Sequence, residues 1–212
     1  MENKRASQEA GNNQHLVWGL DVSPLALASA SPRRAEILRS VGWPFEVCPA
    51  NIDETAKGGE RAPEYVERLA HEKAATVAAT RLCGLTLGAD TTVVAPNGEM
   101  LGKPRDHADA RRMLRRLSGH WHQVITGVAL VQAESQRRVV KHELSRVLFA
   151  DMSDQEIDWY VQTGEPMDKA GAYAIQGRAA LFIAAIEGDY WNIVGLPVRL
   201  TYRMIREVEK VN

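Results

Sequence analysis

Leu25-Ala26-Leu27-Ala28-Ser29-Ala30-Ser31-Pro32-Arg33-Arg34 sets the pattern that the rest of the chain repeats. Its first three residues read as a short buried strand. Ser31 can then N-cap a helix whose first position is Pro32, where the missing N–H is no loss. Ile37, Leu38 and Val41 give that helix an apolar side, and Gly42 ends it. Phe45 to Val47 is a second short strand. Further on, Pro63 opens a helix running to about Ala79, with Val66, Leu69, Ala70 and Val77 as its stripe. Leu85 to Val94 is a strand, and Asn97-Gly98 makes a tight turn. Asp106 caps a helix bearing Ala110, Met113, Leu114 and Leu117, which Ser118-Gly119 stops.

Val124 to Val131 and Val139 to Phe149 read as long strands. Ser153-x-x-Glu156 is a capping box before Ile157, Tyr160 and Val161, with Gly164 as the stop. Leu181 to Ile186 is another strand. The last helix starts near Pro197 and buries Val198, Thr201, Met204, Ile205 and Val208. Helices and strands alternate throughout, which predicts a mixed α/β fold.

The chain has 212 residues, 26 basic and 27 acidic, for a net charge of -1. No bulk positive field favours stable nucleic-acid binding. The two cysteines, Cys48 and Cys83, form no C-x-x-C pair and suit a reducing cytoplasm. The longest apolar run, Ala179 to Ile186, is strand-sized, so no membrane span is expected. Residues 1–20 are polar, lack the apolar segment of a secretory signal and are expected to be a disordered tail. No composition shift marks a linker, so residues 21–212 are read as one domain, bilobal in shape.

Several side chains stand where a purely structural element would not place them. Arg33 and Arg34 occupy a first helical turn, whose dipole disfavours cations. The arrangement makes sense if an anion binds there, although a solvated Arg pair has the same sequence. Ala28, Ser29 and Ala30 would let a ligand approach the backbone. Lys73 falls on an apolar helical stripe and must snorkel out or meet an anion. Asp90 interrupts an apolar strand, which is costly unless the carboxylate is paired or binds a metal. Lys103 follows a hairpin and could return beside Asp90, either as a structural ion pair or as a phosphate-binding lysine beside a general base. Asp53 and Glu54 follow a strand, and a second acid near Asp90 would suit Mg²⁺. Asp53 reads as an exposed loop acid more readily than Glu54. Gln176 precedes Gly177; its amide suits a base edge, or is an ordinary turn residue. His120 and His122 share a strand face but find no third ligand at metal spacing. Neither a P-loop nor a dinucleotide-binding glycine fingerprint is present.

Taken in order, Leu27-Ala28-Ser29-Ala30-Ser31-Pro32-Arg33-Arg34, Ile52-Asp53-Glu54, Arg68-Leu69-Ala70-His71-Glu72-Lys73-Ala74, Gly88-Ala89-Asp90-Thr91, Gly102-Lys103-Pro104, Leu117-Ser118-Gly119, Thr126-Gly127-Val128, Asp168-Lys169-Ala170-Gly171 and Val194-Gly195-Leu196-Pro197 resemble the Maf family of nucleotide pyrophosphatases. The resemblance runs from Leu25 to Leu200. It implies an inosine-triphosphatase-like mixed sheet with flanking helices, two lobes and a central cleft. It also implies hydrolysis of a nucleoside triphosphate to the monophosphate and pyrophosphate, dependent on a divalent cation, Mg²⁺ or Mn²⁺.

In that resemblance Asp90 matches the catalytic acid, as proton acceptor and metal ligand. Glu54 and Lys103 match catalytic positions, Glu54 also as a metal ligand, and Ser29, Arg33 and Lys73 match substrate-binding positions. Arg34, Thr91 and Gln176 match the positions that separate subfamilies and resemble the dTTP/UTP branch. The branch acting on 7-methyl-GTP carries an aromatic, a Gln and a Glu there. A pool-cleaning role on modified pyrimidine nucleotides and a homodimer are further implications. A nucleotide-binding regulator of septum formation, acting through a protein partner, is the alternative the family's associations suggest.

Overall fold

The computed structural model describes residues 16–17, 20–21 and 24–209. Most of the expected tail, residues 1–20, lies outside the described residues. Its described parts belong to a small antiparallel pair, β1 (Leu16–Val17) with β2 (Leu20–Asp21).

A seven-stranded mixed sheet carries everything else. Its strands are β3 (Leu25–Leu27), β4 (Phe45–Val47), β5 (Leu85–Val94), β6 (Met100–Leu101), β7 (Trp121–Gln132), β8 (Arg138–Phe149) and β9 (Ile183–Glu187). Their order is β4-β3-β5-β7-β8-β9, with β6 paired only to β5. The pairs β3–β4 and β3–β5 are parallel and the remaining pairs antiparallel. The helices are α1 (Pro32–Ser40), α2 (Ala62–Ala78), α3 (His107–Leu117), α4 (Asp154–Gln162), α5 (Tyr190–Val194) and α6 (Val198–Glu209). The mixed α/β architecture expected from the sequence is therefore the one found.

Side chains alternate across a strand, so β5 and β7 each serve two cores. Leu87, Ala89 and Val93 of β5 and Val124, Val128 and Leu130 of β7 join one core with residues of α1, α3, α4 and α6. On the other face, Ile125, Ala129 and Val131 pack against α2, with Val94, Met100 and Val140 beside them. There the contacting residues of α2 are small: Ala62, Ala70, Ala74 and Ala78, with Val66 and Val77. Two sheet glycines complete the fit. A methyl group on Gly127 would stand 2.2 Å from the Val66 carbonyl oxygen, and one on Gly88 would stand 2.1 Å from that of Ala70. The helix backbone rests directly on the sheet.

The cleft opens where the parallel ladder stops. Strand β5 has ten residues and β3 only three. The β3 ladder reaches Thr86 and Leu87, and the Ala28 N–H then donates to the Leu87 carbonyl oxygen. The chain leaves there for α1. On the same edge β6 pairs only with Val93 and Val94. Among the described residues, 88–92 thus have no strand partner on that side, and a ligand can approach them.

Several boundaries differ from the sequence reading. Ser31 holds the N-cap position, but its side chain makes no capping bond; its own N–H donates to Ser29 Oγ at 3.2 Å. Strand β7 begins at Trp121, and β9 is displaced to Ile183–Glu187 because Arg178–Leu181 forms a 3-10 turn. The capping box at Ser153 and Glu156 and the Asp106 cap are both present.

The helix–sheet contact gives a stability prediction. Gly88→Ala and Gly127→Ala should each destabilise the fold by about 1–3 kcal/mol, the usual range for overpacking. Gly58→Ala, with open space around it, should change little. Urea midpoints measure both, and equal losses at all three glycines would contradict the close approach.

Candidate active site

Lys73 faces the sheet because it lies on the buried side of α2, in line with Val66, Leu69, Ala70 and Val77. Its Nζ donates to Asp90 Oδ1 at 2.7 Å and lies 2.6 Å from Glu54 Oε1. The Lys73 and Asp90 side chains are 9% and 11% exposed, while Glu54 is 53% exposed. One ammonium thus stands between a buried and a half-exposed carboxylate. Asp90 was expected either to pair with Lys103 or to be functional beside it. The Lys103 pairing is not found: the β5–β6 ladder ends at Leu101, before Lys103 could come back alongside Asp90.

Helix α2 also holds the loop that presents Glu54. The Tyr65 hydroxyl donates to the Glu54 carbonyl oxygen at 2.9 Å. Arg68 bridges Glu60, at 2.6 Å, and the Thr55 carbonyl oxygen, at 3.2 Å. Asp53 turns away and is occupied by the Thr55 backbone N–H and hydroxyl.

These side chains set each other's protonation. Burial pushes the Asp90 carboxyl above its ordinary value, against the pull of Lys73 and Arg34. For Glu54, burial acts in the same upward direction, but the hydrogen bond and charge of Lys73, helped by Lys103 and Arg34, hold it below its ordinary value. Two neighbouring carboxyls are driven apart in acidity, as in general acid–base sites. Tyr65, pushed up to about 12 by burial and the nearby carboxylates, stays protonated.

Arg33 and Arg34 do not converge on one point as expected. Arg34 is buried and turned into the protein. Its Nε donates to the Gly195 carbonyl oxygen at 2.9 Å, and its terminal nitrogens donate to Ser29 Oγ at 3.0 Å and Thr91 Oγ1 at 3.2 Å. Thr91 Oγ1 lies 2.9 Å from Thr126 Oγ1, which donates to the Asn192 carbonyl oxygen. Burial lowers the Arg34 pKa, with Asp90 opposing, but a guanidinium remains charged. Arg33 points elsewhere and reaches Asp168 at 3.8 Å.

A cleft of about 530 Å³ gathers Ser29, Arg33, Arg34, Glu54, Lys73, Asp90, Thr91 and Lys103. Gln176 is the one predicted site residue absent from its lining. It lines a smaller cavity of about 60 Å³ with Val93, Val124, Tyr173 and Ile193, which shares Arg33, Thr91 and Ala170 with the cleft. Thr91 therefore borders both chambers. Asp168, Lys169 and Tyr65 line these spaces too. Lys169 stood out in the sequence only as part of the stretch 168–171, and Tyr65 was not picked out, because a tyrosine on a helix carries no distinguishing pattern. His122 is buried with Nε2 2.8 Å from the Tyr173 hydroxyl, and the exposed His120 has Nδ1 2.5 Å from the Ser118 carbonyl oxygen.

Known proteins resemble the chain over most of its length. A family profile described as Maf: Maf-like protein matches residues 24–208. A protein of Symbiobacterium thermophilum named dTTP/UTP pyrophosphatase is 55% identical over 86% of this chain and 93% of its own length. Proteins of the same name from Hahella chejuensis and Koribacter versatilis are 52% and 51% identical over 86% of this chain and 91% and 93% of theirs. Among solved structures, the Ham1 protein of Staphylococcus aureus aligns with a TM-score of 0.46 at 14% identity over 76% of this chain and 91% of that one, a likeness too loose to argue from.

The paired carboxyls predict opposite responses to pH. Asp90, raised in the fold, favours folding while protonated and loses that contribution as pH rises through its folded value. Glu54, lowered, stabilises above its ordinary range and loses that contribution as pH falls. In a carboxyl-carbon NMR titration Asp90 should titrate above 3.8, and higher still in Lys73→Met, which removes a downward pull. An Asp90 midpoint at or below 3.8 in the unaltered protein would contradict this.

Proposed function

This chain belongs to the Maf family, and on that premise we propose that it is a nucleoside triphosphate pyrophosphatase hydrolysing dTTP and UTP to the monophosphate and pyrophosphate. The observation that carries the reading is the grouping of Asp90, Lys73, Glu54, Arg33 and Lys103 in one cleft beside the smaller chamber lined by Gln176. A triphosphate is multiply anionic, and three cations facing one cavity offset that charge where it develops.

Asp90 is the proton acceptor. A carboxyl raised by burial is a stronger base than an exposed aspartate, so it can take a proton from a water attacking the α-phosphorus. Lys73, already on Asp90, keeps the carboxylate oriented and its charge balanced. Arg33 and Lys103 serve the phosphates, and Ser29 and Arg34 shape the cleft wall. Positioning and electrostatics supply most of the effect in phosphoryl chemistry. Arg34 keeps two of its five N–H donors free, since three are used on Gly195, Ser29 and Thr91. With Thr91 and Gln176 it determines the base: a primary amide meets both O4 and N3–H of thymine or uracil.

A divalent cation, Mg²⁺ or Mn²⁺, suits the donors present. Lys73 engages Asp90 Oδ1 and Glu54 Oε1, so the other oxygen of each carboxylate would hold such an ion. Two carboxylates completed by substrate oxygens are what Mg²⁺ usually takes. Such an ion supplies Lewis-acid stabilisation of phosphate charge. No helix among the described residues is long and apolar enough to cross a membrane, and Cys48 and Cys83 are unpaired, which supports a cytoplasmic setting.

Purified protein given a panel of nucleoside triphosphates with Mg²⁺ or Mn²⁺ should release pyrophosphate from dTTP and UTP, and a chelator should stop it. Asp90→Asn should reduce turnover by about a hundredfold or more while nucleotide binding survives. Preferential turnover of 7-methyl-GTP would overturn the base assignment. Binding without turnover on any nucleotide would overturn the enzyme and favour a regulator.

A further inference from the structure

Gln176 is exposed and makes no side-chain hydrogen bond among the described residues. Its place is set by the backbone on either side, and both sides are tied to one pair of side chains. On the N-terminal side, the Ala174 N–H donates to the Tyr160 hydroxyl at 3.3 Å. That hydroxyl donates in turn to Glu165 Oε1 at 2.8 Å. On the C-terminal side, the Arg178 N–H donates to the two Glu165 carboxylate oxygens at 3.0 and 3.1 Å, and the Ala179 N–H reaches Oε1 at 3.4 Å. Tyr160 is fully buried on α4 and packs edge-on against Phe182, so it is a fixed post. Glu165 opens the 3-10 turn that follows α4.

Gly177 allows the approach. A methyl group there would stand 2.6 Å from Glu165 Oε1, and its φ of +150° is one that side chains rarely adopt. The carboxylate also sits at the start of the Arg178–Leu181 turn, where free N–H groups favour negative charge. Segment 174–179 is thus a loop whose two ends are closed on a single Tyr–Glu unit.

This matters for an amide. One orientation of a Gln amide matches the O4/N3–H edge of uracil or thymine; turned over, it matches the amino/N3 edge of cytosine. Discrimination then depends on how closely the backbone fixes the amide against the rest of the chamber. Resting on the proposed reading of Gln176, we infer that Glu165 and Tyr160 are positioning residues for base selection: they fix the backbone of Gln176 so that its amide meets the O4/N3–H edge of uracil or thymine in one setting against the rest of the chamber. Neither lines the cleft or the small chamber. They act through the loop.

The test compares kcat/KM for dTTP and for CTP in Tyr160→Phe, Glu165→Ala, Glu165→Gln and Gln176→Ala. Inhibition by inorganic triphosphate serves as the measure of the phosphate side. Tyr160→Phe and Glu165→Ala should each lower the dTTP-to-CTP ratio by about tenfold, as a small misplacement of a binding group does. Glu165→Gln, which keeps an acceptor for the Arg178 N–H, should restore most of it. Inhibition by triphosphate should stay within about twofold throughout, the scale of a change away from the phosphates. If Glu165→Ala fails to fold, Tyr160→Phe, which removes only a hydroxyl, carries the test. A ratio lowered by Gln176→Ala but unchanged in Tyr160→Phe and Glu165→Ala would overturn the inference alone. A ratio unchanged in Gln176→Ala would overturn the base-reading role of Gln176, and the inference with it. Equal loss of the ratio and of triphosphate inhibition would mean a general structural role, which also overturns it.

Discussion

The close seating of α2 on β5 and β7 is the constraint from which the rest follows. Gly88 and Gly127 remove the side chains that would hold the helix away, and the alanines of α2 remove those on the other surface. A helix at that distance delivers Lys73 directly to Asp90, at 2.7 Å. The same helix reaches outward through Tyr65 and Arg68 to fix the loop of Glu54. One packing decision therefore places a cation and two carboxylates.

Such a cluster is a poor way to stabilise a protein. Removing an ion pair from water costs about as much as the pair returns, and apolar residues of the same size are often better. What the arrangement gives instead is a charged site already organised, on rigid elements, at the free edge of β5. Adjacent residues of that strand face opposite ways, so Asp90 looks toward α2 and Thr91 toward Arg34. Two neighbours in sequence thereby face two ways, Asp90 into the cleft and Thr91 onto both the cleft and the smaller cavity lined by Gln176.

Much of this was legible in the sequence because it breaks local rules. A lysine on an apolar stripe and an aspartate inside a β-branched strand both announce a buried charge. Strand β5 was read with its observed bounds, since Leu85 to Val94 is bounded by turn residues and has the strand pattern. What was hidden depends on partners far along the chain. Arg34 turns inward to a carbonyl of Gly195, 161 residues away, and no local pattern reports that. Lys103 looked like the partner of Asp90 because it follows the hairpin, but the ladder is only two residue pairs long and ends first. The short α5 and the two-residue β6 hold too few residues to show a period. The positions of Asp168 and Glu165 come from 3-10 turns, whose geometry is set by tertiary contacts rather than by propensity.

In the proposed reaction Asp90 directs water to the α-phosphorus, so that pyrophosphate is the leaving group. Hydrolysis of dTTP in ¹⁸O-labelled water, followed by mass spectrometry of both products, tests it most directly. The label should appear in the thymidine monophosphate and not in the pyrophosphate. Label in pyrophosphate, or release of orthophosphate with a nucleoside diphosphate, would contradict the account.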